Sequence, residues 1–354
     1  MAIVQDSDVL TTTTAPKRKL SMSQREAAWG LVFLSPWLFG LVLFTAMPMV
    51  ASLILSFTNY NQIGQYAAGT HFGFVGIQNY TWMLGDETTI HSLLQTAKLT
   101  IFSVPLTLFA ALGVAMLVNN KLLVGKRVFR TLFFMPVQIP IIASCMIWLS
   151  FLNGQSGWMR YIMEGGARFL GFFVGLVPGL GSTAHQLDTF VAPSWFQDTA
   201  WAIPGLIIMG IWGIGNMMLI FLAGLQSVPT ELYEAAKVDG AGAWKQFRNV
   251  TLPMISPVFF YNLLLNIIGY AQYFTQAIAV SAGAGVAGGQ ASAGNPGGET
   301  LVYNLHLYNV AWANQSNMGQ GCALAWFMFV IVLGISLVLF RTSARWVFYA
   351  GAER

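Results

Sequence analysis

The sequence predicts an all-α membrane protein with six transmembrane helices. Only 8% of its 354 residues are charged, whereas a soluble protein carries roughly a quarter. The mean hydropathy is +0.62. Six apolar stretches reach the roughly 20 residues that a helix needs to cross the hydrocarbon core of a bilayer. The chain therefore belongs in a membrane.

The predicted spans follow one another with polar connections between them. We expect residues 1–27 to be a disordered cytoplasmic tail, because they lack the apolar core of a signal peptide. Residues 28–350 then form one transmembrane domain, with a polar connection at 227–256. The spans are 28–55, 93–118, 128–151, 201–225, 257–279 and 320–340.

The orientation of these spans follows from their flanking charges, because Lys and Arg accumulate in cytoplasmic loops. Fourteen Lys and Arg residues lie in the tail, the second and fourth connections and the C-terminal end, and three lie on the other side. We expect both termini to be cytoplasmic. The net charge of +4 then reflects topology, and no nucleic-acid partner is predicted.

The connection from Leu152 to Ala200 is ambiguous, since residues 165–182 are largely apolar. This segment is short for a span and is broken by Gly171, Gly175, Pro178 and Gly179. We interpret it as interfacial or re-entrant, because a seventh span would put the next basic connection outside. The stretch from Ser281 to Thr300 is rich in Gly and Ala and we expect it to be mobile.

The most polar run of the second half is "ELYEAAKVDGAGAWKQFRNVTLP". Thr230 is expected to cap a helix running to about Asp239, and Gly240 with Gly242 allows a sharp turn. A second helix from Ala243 to about Val250 is expected to end before Pro253. Such a two-helix elbow suits docking into a groove of another protein.

This run resembles the EAA loop of ABC importer permeases, whose pattern is E-A-A, three residues, Gly, then a spaced L-P. Every position of that pattern is present here, as Glu234, Ala235, Ala236, Gly240, Leu252 and Pro253. In that family the loop is the coupling helix, seated in a cleft of a cytoplasmic ATPase. The resemblance implies that the ATPase-coupling residues are Glu234, Ala235, Ala236, Asp239 and Gly240.

The resemblance extends over most of residues 30–350, to the carbohydrate group of maltose and glycerol-phosphate type. It is carried by "FFMPVQIPIIASCMIWLSFLNGQSGWMRYIM", "WGIGNMMLIFLAGLQSVPTELYEAAKVDGA", "LILSFTNYN", "FVGIQNY" and "ETLVYNLHLYNVAW". Residues 165–193 and 282–298 depart from the family pattern and look like insertions. The resemblance implies the type I importer permease fold in a prokaryotic inner membrane, and four partner chains. These are a second permease, two copies of an ATPase, and an external solute-binding protein.

The sequence offers no set of residues that would support an enzymatic reaction. The phosphate-binding pattern G-x-x-x-x-G-K-[ST] is absent, so no ATP or other cofactor is expected on this chain. The predicted spans contain neither paired carboxylates nor a Ser/His/Asp set. Cys145 and Cys322 are expected to be packing residues, with no metal site.

A polar stripe on the fifth predicted span is the candidate solute path. At about 100° per residue, five of its residues lie within an arc of roughly 80°, and such a stripe should face a cavity and avoid lipid. Hydrogen bonding between helices is the alternative interpretation, and Trp212 and Asn216 on the fourth span are weaker candidates. The stripe consists of Asn262, Asn266, Gly269, Tyr273 and Gln276.

These observations predict the permease subunit of an ATP-driven, binding-protein-dependent importer of a sugar or a similar solute. The alternative within this class is a permease for glycerol phosphate or another non-sugar solute. An ion-coupled secondary transporter is the rival from another class, and it would need acidic or His relays within the spans. The spans contain no such relays.

Overall fold

The computed structural model describes residues 21–61, 73–120, 122–177, 179–283, 294–313 and 316–348. Within these ranges the chain is helical, and no strand forms beyond two isolated bridges, Thr58 with Phe74 and Asn61 with Asn317. The fold divides into two compact units, one ending at Ile54 and one beginning at Leu55.

The first unit contains all but the last residue of the helix α1, Met22–Leu55, which is long and apolar enough to cross a membrane. Ser21 and Gln24 form a reciprocal capping box at its start, and such a box satisfies two backbone donors. The expectation of a disordered tail up to residue 27 is therefore wrong for residues 22–27, which this cap draws into the helix. Residues 1–20 of the predicted tail lie outside the described residues.

The second unit is built from fourteen helices within the described ranges. One short π-helical stretch lies within α11, and another directly follows α14. The helices are α2 Gln78–Gly85, α3 Glu87–Asn119, α4 Lys126–Gln138, α5 Ile141–Phe151, α6 Trp158–Gly175, α7 Gly181–Asp188, α8 Thr199–Trp212, α9 Gly215–Gln226, α10 Thr230–Val238, α11 Ala243–Met254, α12 Ser256–Ala271, α13 Thr275–Gly283, α14 Tyr303–Tyr308 and α15 Met318–Trp346.

The core of the second unit surrounds α3. Ala111 and Ala115 of α3 are fully buried, as are Met218 and Phe221 of α9, and small residues let helices approach closely in a membrane. The Asp86 carboxylate caps α3 by accepting the Thr89 amide at 2.7 Å. Two further helices of the core, α8 and α12, also pack on α3. The longest span of this unit, α3, is thus the central helix of its core.

Six candidate spans exist within the described residues, but only α1, α3 and α15 are single helices long enough to cross. The predicted span 128–151 bends by 102° between α4 and α5, and span 201–225 bends by 50° between α8 and α9. The fifth, 257–279, is entered through a 68° bend between α11 and α12 and is broken again at residues 272–274. Three predicted continuous spans are therefore interrupted.

The end of α3 that Asp86 caps is covered by α14. The Thr96 hydroxyl accepts the Tyr303 amide at 2.8 Å, and the Tyr303 hydroxyl donates to the Leu324 carbonyl at 2.9 Å. His306 is buried, with its Nε2 2.9 Å from the Thr89 hydroxyl. Burial lowers the pKa of His306, although the nearby Asp86 carboxylate raises it in part. These contacts tie α14 to α3 and α15.

The ambiguous connection folds as the hairpin of α6 and α7. Within the described residues neither helix is among the candidate spans, so the interpretation as a seventh span has no support. Residue 178 and residues 284–293 of the Gly/Ala stretch lie outside the described residues.

Candidate functional site

A cavity of about 390 Å³ lies where the three broken spans of the second unit meet. We refer to it as the break cavity. Backbone at a helix break has unsatisfied polar groups, which membrane proteins tolerate where the backbone is buried or lines a cavity. The residues lining it are Pro136, Val137, Ile139, Ile141, Ser144, Cys145, Met209, Gly210, Trp212, Gly213, Asn266, Gly269, Tyr270, Tyr273 and Gln276.

Local sequence explains two of these breaks. Pro136 lies in the last turn of α4, and Pro140 lies between α4 and α5. Each proline lacks a backbone donor and disfavours helix before it. Gly213 ends α8, and the nearby Gly215 is buried where a Cβ atom would collide with the Phe133 carbonyl. The backbone of α4 at Phe133 and Phe134 and the start of α9 are therefore packed directly against each other.

The amide wall of the break cavity is fixed by α3. Asn266 donates from Nδ2 to the Thr107 hydroxyl at 2.8 Å, and that hydroxyl donates to the Ser103 carbonyl at 2.7 Å. This chain of hydrogen bonds holds the Asn266 side chain in place and leaves its carbonyl oxygen as a possible acceptor. Asn266 thus serves helix packing and the cavity at once.

The aromatic wall is a pair of stacked tyrosines. The rings of Tyr270 and Tyr273 are 5.6 Å apart and inclined by only 13°. Both are buried, and the Tyr273 hydroxyl has no hydrogen-bond partner among the described residues. Gly210 lies beside the Tyr270 hydroxyl, with no room for a Cβ atom. A buried hydroxyl without a partner costs about 1–3 kcal/mol.

Four of the five residues of the predicted stripe line this cavity, namely Asn266, Gly269, Tyr273 and Gln276. Asn262 does not line it, because its amide donates to the Val258 carbonyl one turn back at 3.0 Å and its side chain is buried within the helix packing.

The stripe was predicted on the assumption of one continuous helix. That assumption is wrong beyond Ala271, where α12 ends. Tyr273 lies in the break and Gln276 lies on α13. They reach the same cavity because the chain turns there. Of the weaker candidates, Trp212 lines the cavity and Asn216 does not.

Sequence reasoning missed Tyr270 and the wall from the α4–α5 break. The signal available was the Pro-Val-Gln-Ile-Pro run at 136–140, since two prolines four residues apart indicate an interrupted helix. Interrupted helices are typical of solute sites in membrane transporters.

The second candidate site is the elbow, which we define as α10, α11 and the turn between them. Gly240 has a φ of +74°, in the left-handed region that favours glycine. The Trp244 and Phe247 rings are 5.6 Å apart on one face, and Val238 and Trp244 are 88% and 71% exposed. The elbow thus presents large apolar side chains without a cover from the described chain.

Two details of the predicted elbow are wrong. Pro229 occupies the capping position and Thr230 is the first helical residue, so no side chain caps α10. Its start is compatible with proline because the first amides of a helix are unpaired anyway. The second helix does not end at Val250. It continues through the π-helical turn Phe247–Thr251 into a short α-helical segment, Leu252–Met254. Pro253 lies in the first turn of that segment, where proline is tolerated.

The elbow is braced from within. The hydroxyls of Tyr233 and Thr251 are 2.9 Å apart, and Gln246 donates from Nε2 to the Ala241 carbonyl at 2.7 Å. These bonds tie α10 to the end of α11 and hold the turn. The residues expected to couple to an ATPase, Glu234, Ala235, Ala236, Asp239 and Gly240, therefore lie on a stiff unit, and their role stays a prediction.

Comparison with known families decides the class of this chain. Residues 103–347 match the family described as the binding-protein-dependent transport system inner membrane component. The chain belongs to this family. It is thus a multi-pass inner membrane component of a transport system, as the EAA pattern and the apolar spans predict.

Relatives of known name align with this permease over most of its length. It is 36% identical over 341 residues to the probable ABC transporter permease protein YesP of Bacillus subtilis (strain 168), covering 96% of this chain and 97% of that protein. It is 29% identical to the probable starch degradation products transport system permease protein AmyD of Thermoanaerobacterium thermosulfurigenes, over 91% and 96%. It is 30% identical to the sn-glycerol-3-phosphate transport system permease protein UgpA of Agrobacterium fabrum (strain C58 / ATCC 33970), over 80% and 85%.

The fold of the permease is also that of a solved transporter. A chain of the bacterial alginate ABC transporter in complex with alginate pentasaccharide-bound periplasmic protein aligns with a TM-score of 0.69. The alignment covers 91% of this chain and 96% of that one at 19% identity. The predicted fold class, an ABC importer permease, is confirmed.

Proposed function

We propose that this chain is a permease subunit of an ATP-driven importer and that it carries an uncharged sugar through the break cavity. The observation that carries the proposal is the lining of that cavity, which combines stacked tyrosines and Trp212 with amide and hydroxyl groups. Flat apolar surfaces with a few placed hydrogen-bonding groups suit a polyhydroxyl solute.

The same lining argues against glycerol phosphate as the solute of this subunit. None of the residues that line the cavity is Lys, Arg or His, whereas a phosphate buried in a membrane needs charged or multiple donors. The relatives are named for both kinds of solute: AmyD for starch degradation products, and UgpA for glycerol phosphate. The cavity chemistry favours the first kind.

We place the solute next to Asn266, Tyr273 and Gln276, with Gly269 giving the backbone room to approach. In this proposal the Asn266 carbonyl and the buried, unpaired Tyr273 hydroxyl bond hydroxyl groups of the sugar. Asn262 has a packing role in this proposal.

Partners complete the pathway. Six spans enclose half of it, so a second, homologous permease faces the break cavity, and an external solute-binding protein delivers the sugar. The alginate transporter, which has this fold, is named as a complex with a solute-bound periplasmic protein. The lipid bilayer surrounds the assembly, and nucleic acid has no role.

ATP acts on partner subunits, of which we propose two copies, and this chain holds no cofactor. The elbow docks into an ATPase cleft through Glu234, Ala235, Ala236, Asp239 and Gly240, with Val238 and Trp244 as apolar contacts. Both termini and the elbow lie in the cytoplasm in this proposal, as the charge asymmetry predicts. Closure of the ATPase pair then moves the spans, and alternating access follows from the shift between two states.

The test is uptake by the reconstituted transporter with a matched pair of amide variants. Asn266→Ala should lower ATP-driven uptake of the sugar while the ATPase subunits still co-purify. Asn216→Ala, an exposed position outside the cavity, should leave uptake unchanged. Equal uptake by both variants and the unaltered protein would assign Asn266 to helix packing alone and would remove the cavity from the proposed path.

A further inference from the structure

One face of α6 carries large exposed side chains, which we call the aromatic stripe. These side chains are between 50% and 74% exposed, and at about 100° per residue they fall within an arc of roughly 120°. The three charged residues of α6, Arg160, Glu164 and Arg168, all lie outside this arc. The stripe consists of Trp158, Tyr161, Ile162, Phe169, Phe172 and Phe173.

The opposite face of α6 is fixed to the rest of the second unit. Gly171 is buried against α7, where a Cβ atom would lie only 3.1 Å from the Ala184 carbonyl oxygen. Arg160 and Glu164 form an ion pair at 2.8 Å, and the Glu164 carboxylate also accepts the Ala192 amide at 3.4 Å. The rotation of α6 about its axis is therefore set, and the aromatic stripe points away from its own chain.

The stripe is continuous with the surface of a span. A six-residue turn, 152–157, joins α5 to α6, and the Asn153 side chain accepts two amides of that turn at 2.8 and 3.0 Å. Trp158 lines one surface groove with Met146 and Ile147 of α5, which are 64% and 49% exposed. An apolar surface thus runs from the span directly onto α6.

We propose that α6 lies along the bilayer surface, on the side opposite the elbow, with the aromatic stripe among the lipids. The side follows because α6 comes after the third span and the elbow comes after the fourth. Helices of this kind bury their apolar face about 5–10 Å into the boundary between headgroups and acyl chains, where Trp and Tyr are enriched. Arg168, about 20° beyond the edge of the arc, is placed to reach lipid phosphates.

Permanent contact with lipid suits this surface better than contact with a protein that binds only transiently. A large apolar side chain that faces water loses the stabilisation that burial gives, so six of them exposed between docking events would be costly. Lipid covers them at every stage. The inference does not depend on which solute is carried or on ATPase docking.

The test measures what surrounds the stripe in the assembled transporter in lipid nanodiscs. Nitroxide labels are placed by Phe169→Cys and Phe172→Cys, and by Gln186→Cys on the polar, exposed helix α7 as the matched control. The native Cys145 and Cys322 are buried, and the unaltered protein gives the labelling blank. Collisions with oxygen, which concentrates in lipid, and with a water-soluble nickel chelate are recorded with and without the solute-binding protein.

We expect the two stripe labels to collide with oxygen more than with the chelate, and the control label to show the reverse. Strong chelate collisions on the stripe would overturn the proposal in favour of a water-facing helix. Weak collisions with both reagents would also overturn it, because a protein then covers the stripe. The solute-binding protein is that cover if adding it produces the protection, and the second permease is the cover if protection is present without it. Uptake is measured on the same variants reconstituted into proteoliposomes, so loss of transport with the expected collisions would count against the proposed function only.

Discussion

Replacing Tyr273 with Phe separates a solute contact from a structural contact. The Tyr273 hydroxyl is buried and has no partner among the described residues, so its removal breaks no hydrogen bond there. Burying an unpaired hydroxyl costs about 1–3 kcal/mol, and we therefore expect Tyr273→Phe to melt at the same temperature as the unaltered transporter or higher. If that hydroxyl bonds the sugar, one hydrogen bond of about 0.5–1.5 kcal/mol is lost. Uptake at saturating loaded binding protein should then fall roughly 2- to 10-fold.

Tyr303→Phe is the matched control, because the Tyr303 hydroxyl is also buried but donates to the Leu324 carbonyl at 2.9 Å, outside the break cavity. We expect this variant to melt at a lower temperature and to keep normal uptake per folded transporter. The assays are thermal unfolding of the purified complex and uptake into proteoliposomes. Unchanged uptake by Tyr273→Phe would refute the reasoning for the hydroxyl, and a lower melting temperature would mean that the hydroxyl has a structural partner.

Further expectations concern the elbow and its side of the membrane. A cysteine replacing Lys237 should be labelled by an impermeant thiol reagent only from the cytoplasm, and labelling from outside would reverse the proposed topology. Gly240→Val should reduce uptake per ATP hydrolysed, because a left-handed φ costs a side chain about 1–2 kcal/mol. Gly242→Val should be mild, because Gly242 has an ordinary φ of −68° and both sites have open space for a Cβ atom. Equal effects of the two would exclude the backbone explanation. Glu234→Lys should reduce co-purification of the ATPase subunits, and a normal complement of them would contradict the coupling role.

The sequence was sufficient for the number of spans and for the shape of the elbow. Both depend on local rules: the length of an apolar stretch decides whether it can cross, and Gly240 marks the turn because few other residues adopt its φ of +74°. The family is likewise readable from spaced residues of the EAA pattern. These features need no knowledge of tertiary contacts.

The break cavity could be predicted only in part. A continuous helix assumed over 257–279 brought Asn266 and Gly269 to the correct face, but Tyr273 and Gln276 reach the cavity through the break that follows Ala271. Tyr270 was missed because its side chain looks like ordinary apolar packing in the sequence. Where a helix breaks depends on what the neighbouring helices offer its free backbone groups, and the α4–α5 wall is a tertiary partner that periodicity does not reveal.

The central claim is that this chain forms the membrane path of an ATP-driven sugar importer. The direct measurement is uptake of labelled sugar by proteoliposomes that contain the chain with the second permease, the ATPase and the loaded binding protein. We expect uptake only when ATP is supplied on the elbow side, no uptake when this chain is omitted, and no response to a proton or sodium gradient. Uptake driven by an ion gradient without ATP would contradict the claim and would make the chain a secondary transporter.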